Sequence, residues 1–201
     1  KLPKELNDMA ATLAKVKATN PDVLTLSGHS KGALTAIRQI SEMQVDIPML
    51  AMTHCDASKL AKQHGKKAEY ALCAAQWHKS LSYKDKYFGN GMKYDKDFNA
   101  EYGYTPPYQA AESSAALLVW KDAFERANST DTEKVRDALA KTDMQTFYGN
   151  IKFGSGGQNT AKPMVLFQVI CDGDKCENKV VAPTKWASAK LVHPVPKWSE
   201  R

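Results

Sequence analysis

The chain has 201 residues, 43% apolar and 25% charged, which is enough to bury a core as one large domain or two small ones and is unlike a disordered tail. Its formal net charge of +6 comes from scattered lysines; the densest group, Lys59, Lys62, Lys66 and Lys67, reads as the solvated face of a short helix, which argues against nucleic acid or a membrane surface as partner. No apolar run reaches the roughly 18 to 20 residues of a membrane span, and Lys1-Leu2-Pro3 is no signal peptide, so a removed signal or further chain is expected ahead of it.

Leu6, Met9, Leu13 and Val16 recur at helical spacing behind Pro3, and Asn20-Pro21-Asp22 ends that helix. A strand follows in V-L-T-L-S-G, then a helix after Gly32 with Leu34, Ile37 and Ile40 inward, then a strand opened by Pro48. Asp56 is placed to cap a short helix through Leu60 that Gly65 stops, and residues 70–75 form a third strand. This βαβαβ order predicts right-handed crossovers and a parallel sheet. Beyond Trp77 the texture changes. Residues 79–91 have no clear period and read as a linker; Tyr94, Phe98 and Tyr102 mark a helix ending at Gly103. A longer helix runs from Pro107 through Ala111, Ala115, Leu118 and Phe124, and Thr130 with Glu133 makes a capping box for another carrying Val135 and Leu139. Residues 149–153 read as a strand and residues 154–157 as a glycine-rich turn. A tail spaced by prolines and carrying Trp186 and Trp198 finishes the chain.

There are four cysteines. Cys171 and Cys176 bracket Asp172-Gly173-Asp174-Lys175 between the β-rich residues 164–170 and 179–182, so they are expected to face each other across a hairpin and to form a disulfide. A zinc knuckle would need two further ligands, and no paired Cys or His motif follows at suitable spacing; no metal or cofactor is expected. A disulfide points to an oxidising compartment such as the periplasm. Cys55 and Cys73 lie on adjacent strand elements and are either a second bridge or two buried thiols.

In an open parallel sheet the loops at the carboxyl ends of neighbouring strands line one crevice, so Ser27, His29, Ser30, Thr53, His54, Gln76, Trp77 and His78 are expected at a single polar and aromatic site. Gly28-His29-Ser30-Lys31-Gly32 also has the G-x-S-x-G form of a nucleophile elbow, between a strand and a helix, which would make Ser30 the nucleophile of an α/β-hydrolase. That chemistry needs an acid and then a histidine later in the chain. Asp56 comes very early, His193 lies in the proline-rich tail, and His54, His64 and His78 have no evident acid partner, so a tight strand-to-helix turn is the better reading of the motif.

The order of features resembles the carboxyl-terminal half of a type I periplasmic solute-binding protein of the branched-chain amino acid (leucine, isoleucine, valine) ABC transporter family. The resemblance runs through N-P-D-V-L-T-L-S-G (residues 20–28), the helix-to-strand passage of residues 39–48, A-E-Y before the third strand and F-x-x-x-Y-G (98–103). It continues through P-P-Y-Q-A-A-E (106–112) ending in E-R-A (125–127), the helix of residues 131–142, G-N-I-K-F (149–153), V-x-P (181–183) and P-x-P-x-W (194–198). It implies a fold of two α/β lobes closing on a small ligand, a periplasmic or lipid-anchored extracellular location, an ABC permease as membrane partner, and no catalysis. Residues 1–78 would be the second-lobe α/β portion, 79–91 the hinge, 92–148 helices of the first lobe, and 149–201 the hinge return, cysteine hairpin and tail. The amino-terminal half of the family pattern would lie in other polypeptide that packs against this chain. Carried over by position, the family's ligand contacts fall on His29 with Ser30 beside it, on Thr53 or His54, near Ser114, and on Trp77 where the third strand enters the cleft. The position of the family's amino-group-reading acid is held by Thr53 and His54, so an aromatic or aliphatic carboxylate is expected ahead of an α-amino acid. A ligand-sensing domain of the same fold is the alternative within the resemblance, and a serine hydrolase using Ser30 the alternative outside it.

Overall fold

The computed structural model describes residues 7–55, 60 and 63–201. The chain forms two compact units, one of residues 1–75 with 165–201 and the other of residues 76–164.

The first unit is built on a five-stranded sheet in the order β1-β2-β3-β8-β9. Strands β1 (Val23–Leu26), β2 (Met49–Met52) and β3 (Leu72–Ala75) pair in parallel, as the βαβαβ order demands. The sheet as a whole is mixed, however: β8 (Val165–Asp172) runs antiparallel to β3, and β9 (Lys175–Ala182) antiparallel to β8. A hairpin far along the chain can join a parallel sheet only at its edge, and nothing in its own sequence names that edge. Helix α1 (Ala10–Thr19) precedes β1 and ends at Asn20 in the left-handed conformation, φ +45°. Helix α2 (Ser30–Glu42) links β1 to β2; it begins at Ser30 rather than after Gly32, and it buries Ala33, Ala36, Ile37, Gln39 and Ile40, with Leu34 only half-buried. Gln39 is buried without cost because its Oε1 accepts the Met9 N–H at 2.6 Å and its Nε2 donates to Asp8. The cap expected at Asp56 lies outside the described residues. Gly65, at φ +51°, opens a 3₁₀ turn, Gly65–Ala68.

The β8–β9 hairpin turns at Gly173, φ +59°, with Cys171 opposite Cys176. Both disulfides are formed: Cys171–Cys176, as expected, with Cα atoms 4.0 Å apart, and Cys55–Cys73 at 5.8 Å, which resolves the open alternative in favour of the bridge. In the middle of β8, Gln168 is fully buried; Nε2 donates to Tyr70 O and Val192 O, and Oε1 accepts the Val192 N–H. The tail is further held by Val195 N–H to Pro48 O (3.1 Å) and Trp198 Nε1–H to Val45 O (3.0 Å).

In the second unit, the residues expected to be a linker contain a two-stranded ribbon, β4 (Lys84–Asp85) with β5 (Gly89–Asn90). Asn90 caps helix α3 (Gly91–Tyr102) by accepting the Lys93 N–H, and Gly103 at φ +75° ends it. Helix α4 (Tyr108–Ala127) buries Ala111, Ala115, Leu118, Val119 and Ala123; Phe124, expected inward, is 41% exposed, stacked on Trp120. Helix α5 (Thr132–Ala140) is capped by Asp131, which accepts the Lys134 N–H, and not by Thr130. Ala123, Val135 and Ala138 form the seam between α4 and α5. Arg126 closes it by donating to Ala138 O at 2.7 Å, a last-turn carbonyl that also accepts the Lys141 N–H. Strand β7 (Gly149–Lys152) pairs with β6 (Asp143–Thr146), which the polar run D-M-Q-T did not announce.

Candidate functional site

Parallel pairing places the carboxyl ends of β1 and β2 side by side, with Leu26 opposite Met52. The ladder continues one residue further, Thr53 N–H to Leu26 O at 3.0 Å, so the loops beyond the two strands begin in register. Thr53 Oγ1 accepts the Gly28 N–H at 3.1 Å, and Ser30 Oγ donates to His54 O at 2.8 Å. The two hydroxyls therefore knit the loops together. The two imidazoles, His29 and His54, are exposed with ring centroids 5.5 Å apart. His29 is also the N-cap residue of α2. His54 has φ +52°, an unusual backbone for a residue with a Cβ.

This arrangement is not that of a nucleophile elbow. The bond made by Ser30 is to the main chain of His54 and not to an imidazole. Ser30 is an ordinary first residue of α2, whereas an elbow serine sits on the strained turn. The strained residue here is His54.

Trp77 and Ser114, also singled out from the sequence, lie in the second unit and share a neighbour. Trp77 is buried, with Nε1–H to Phe147 O at 3.3 Å and its ring edge-on to Tyr94 and Phe147. Ser114, half-buried on α4, exchanges a hydrogen bond of 2.9 Å with the Tyr94 hydroxyl. Tyr94 and Phe147 stack at 4.2 Å, and Phe88 packs against both. Burial pushes the Tyr94 phenol up. Sequence reading missed the centre of this cluster; the signal was present in Tyr94, Phe98 and Tyr102, whose four-residue spacing sets the rings in one row.

Lys162 was missed altogether. Its ammonium donates to Gln76 O and lies 4.3 Å from the Tyr148 ring centroid. Burial holds it down at about 8, opposed by the charge of Glu112. His64, away from the loops, is held low by burial and then by the charges of Lys67 and Arg38, and its Nε2 is buried without a hydrogen-bond partner. Among the described residues no group of three or more His, Cys, Asp or Glu side chains could hold a metal ion, and no helix is long and apolar enough to cross a membrane.

A family model described as periplasmic binding protein matches residues 1–175. The chain belongs to the periplasmic binding protein family. Solved structures agree on the fold. A leucine-binding protein from Thermotoga maritima superposes with a TM-score of 0.73 at 22% identity, over 90% of this chain and 50% of its own. A leucine-, isoleucine-, valine-, threonine- and alanine-binding protein from Brucella ovis in its closed conformation gives 0.74 at 16% identity, over 96% and 51%. A solute-binding protein of an ABC transporter from R. palustris, in complex with benzoate, gives 0.68 at 16%, over 94% and 52%. The chain thus spans about half the length of these binding proteins. The fold is the type I periplasmic-binding-protein fold, with a mixed sheet flanked by helices.

Proposed function

We propose that this chain is part of the extracytoplasmic solute-binding component of an ABC importer, without chemistry of its own. Its solute is a small aromatic or aliphatic carboxylate, and an ABC permease in the membrane is the partner. The first unit corresponds to the second lobe of such proteins and the helices of the second unit to part of the first lobe. The observation that carries the ligand class is the His29–His54 pair. Two exposed imidazoles stand where the strand-end loops meet, and no side chain of the knit formed by Gly28, His29, Ser30, Thr53 and His54 is acidic. An ammonium group in an enclosed site needs a carboxylate or several carbonyls to replace its hydration, whereas imidazole N–H groups donate well to carboxylate oxygens. Ser30 and Thr53 set the loops, and His29 and His54 meet the carboxylate. Two disulfides fit an oxidising compartment.

Calorimetric titration of the complete binding protein with benzoate, a short-chain acid and leucine tests this. Binding of an acid, weakened tenfold or more by His54→Ala, is expected. Submicromolar binding of leucine with no response to either acid overturns the ligand class, and p-nitrophenyl ester hydrolysis abolished by Ser30→Ala overturns the binding-protein reading in favour of an enzyme.

A further inference from the structure

His54 is the one residue of the loop cluster whose backbone is in an unfavourable region, φ +52°. A side chain at such a φ costs about 1 kcal/mol or more and persists only when its surroundings hold it. Its holders differ in kind. On the amino-terminal side, Thr53 is fixed by its N–H to Leu26 O and its Oγ1 to Gly28 N–H; at His54 itself, the carbonyl accepts the Ser30 hydroxyl. The two hydroxyl contacts lie at exposed positions, where water competes and each is worth about 1 kcal/mol net.

On the carboxyl-terminal side the holder is covalent. Cys55, 3% exposed, is bonded to Cys73, which is fully buried in β3. Cys73 is paired with Met52 on one side and Phe167 on the other, so the bridge ties the His54 turn to the central strand of the sheet. The second bridge is placed quite differently. Cys171 and Cys176 close the tip of a hairpin that its own ladder already holds from Leu166 to Asp172.

We propose that the Cys55–Cys73 disulfide is a positioning device for the solute site: it holds the turn after β2 so that the His54 ring stands beside the His29 ring. Its functional meaning rests on the solute-binding reading above; the geometry it explains does not. The imidazole pair is then pre-assembled before any solute arrives, and affinity is gained by sparing the ordering of that turn.

The test is NMR on the chain with isotopically labelled histidine, comparing the native protein with C55A/C73A and C171A/C176A. The native protein and C171A/C176A are expected to show a cross-relaxation peak between the His29 and His54 rings. In C55A/C73A that peak is lost and the His54 ring shifts move, while the amide shifts of β9, which does not neighbour β3, keep their native values. A ring contact that survives in C55A/C73A, or one lost equally in C171A/C176A, overturns the proposal. So does a collapse of amide dispersion in both C55A/C73A and the better-filled C55V/C73A, because the bridge would then be supporting the whole unit and not the turn. Titration of the complete binding protein with benzoate and with leucine adds the functional arm: whichever probe binds should bind C55A/C73A at least tenfold more weakly, and undiminished affinity overturns the proposal. If neither probe binds the native protein, the solute reading fails, and the ring contact alone decides the inference.

Discussion

Lys162 allows the packing of the second unit to be tested through pH. Its stem passes over Gly149, where an added Cβ would lie 2.2 Å from its Cδ, and its amine is tied to Gln76 O beside the Tyr148 ring. Burial lowers its pKa from the ordinary 10.5 to about 8. Between those values the unfolded chain keeps a proton that the folded chain has released, so stability must rise with pH across that window; below about 8 both states are charged and the full burial penalty is present. At about 1.4 kcal/mol for each pKa step, the penalty has a ceiling of about 3 kcal/mol. Lys162→Met keeps the stem and removes the titration. Losing the Gln76 bond adds an offset that does not depend on pH, so only the slope is diagnostic. Urea unfolding from pH 7.5 to 10 should show the native protein gaining about 2 to 3 kcal/mol relative to the variant. Tyr148 sets the upper limit of the range. Burial raises its phenol, so the stability it contributes is present below about 10 and lost as pH climbs above it, the opposite sign. Parallel pH profiles for the two proteins would refute the reasoning.

Gly91 is buried at the first position of α3, and a Cβ there would lie 2.6 Å from the backbone oxygen of Lys79, whose side chain is itself anchored by Asp95 at 2.7 Å. Gly91→Ala gains at most about 1 kcal/mol of helix propensity against about 1 to 3 kcal/mol of overpacking, so its melting temperature should fall by a few degrees, and a rise would show that the Lys79 segment yields freely. Phe147→Ala, which empties the fully buried centre of the ring cluster, should cost about 3 to 5 kcal/mol by denaturant unfolding; a loss under 1 kcal/mol would mean that Tyr94 and Phe88 close over the space.

The first unit was legible because its apolar runs are short, sharply bounded and separated by one helical pattern each, which leaves few topologies open. Its mixed character was not legible: β8 lies next to β3 although 89 residues, 76–164, lie between the paired Ala75 and Val165, and strand neighbours chosen by tertiary packing leave no local mark. The cap of α5 shows a finer limit. Thr130 and Asp131 are both good cap residues, and only the backbone decides that Asp131 takes the role. At the candidate site, proximity of His29, Ser30, Thr53 and His54 followed from the rule that parallel strands gather their carboxyl-end loops. The division of labour did not, because whether a hydroxyl faces a ligand or a neighbouring main chain depends on displacements of about an ångström. Trp77 shows the same limit, since a tryptophan at a strand end reads alike whether it meets solvent or, as here, an aromatic core.

Gln168 gives the tail an unusual kind of attachment. A carboxamide carries one carbonyl and one N–H₂ on a planar group, the acceptor and donor of a peptide unit with one donor more, which here goes to Tyr70 O. By accepting from Val192 N–H and donating to Val192 O, it acts toward the tail as a single residue of a neighbouring strand would. At Val192 the tail is thereby registered to the sheet by one side chain in place of a backbone rung, ahead of the main-chain bond from Val195 to Pro48. Glutamate has the same shape but only acceptors when ionised, so at this position it would keep the bond from Val192 N–H and lose the one to Val192 O, leaving the tail half a rung there.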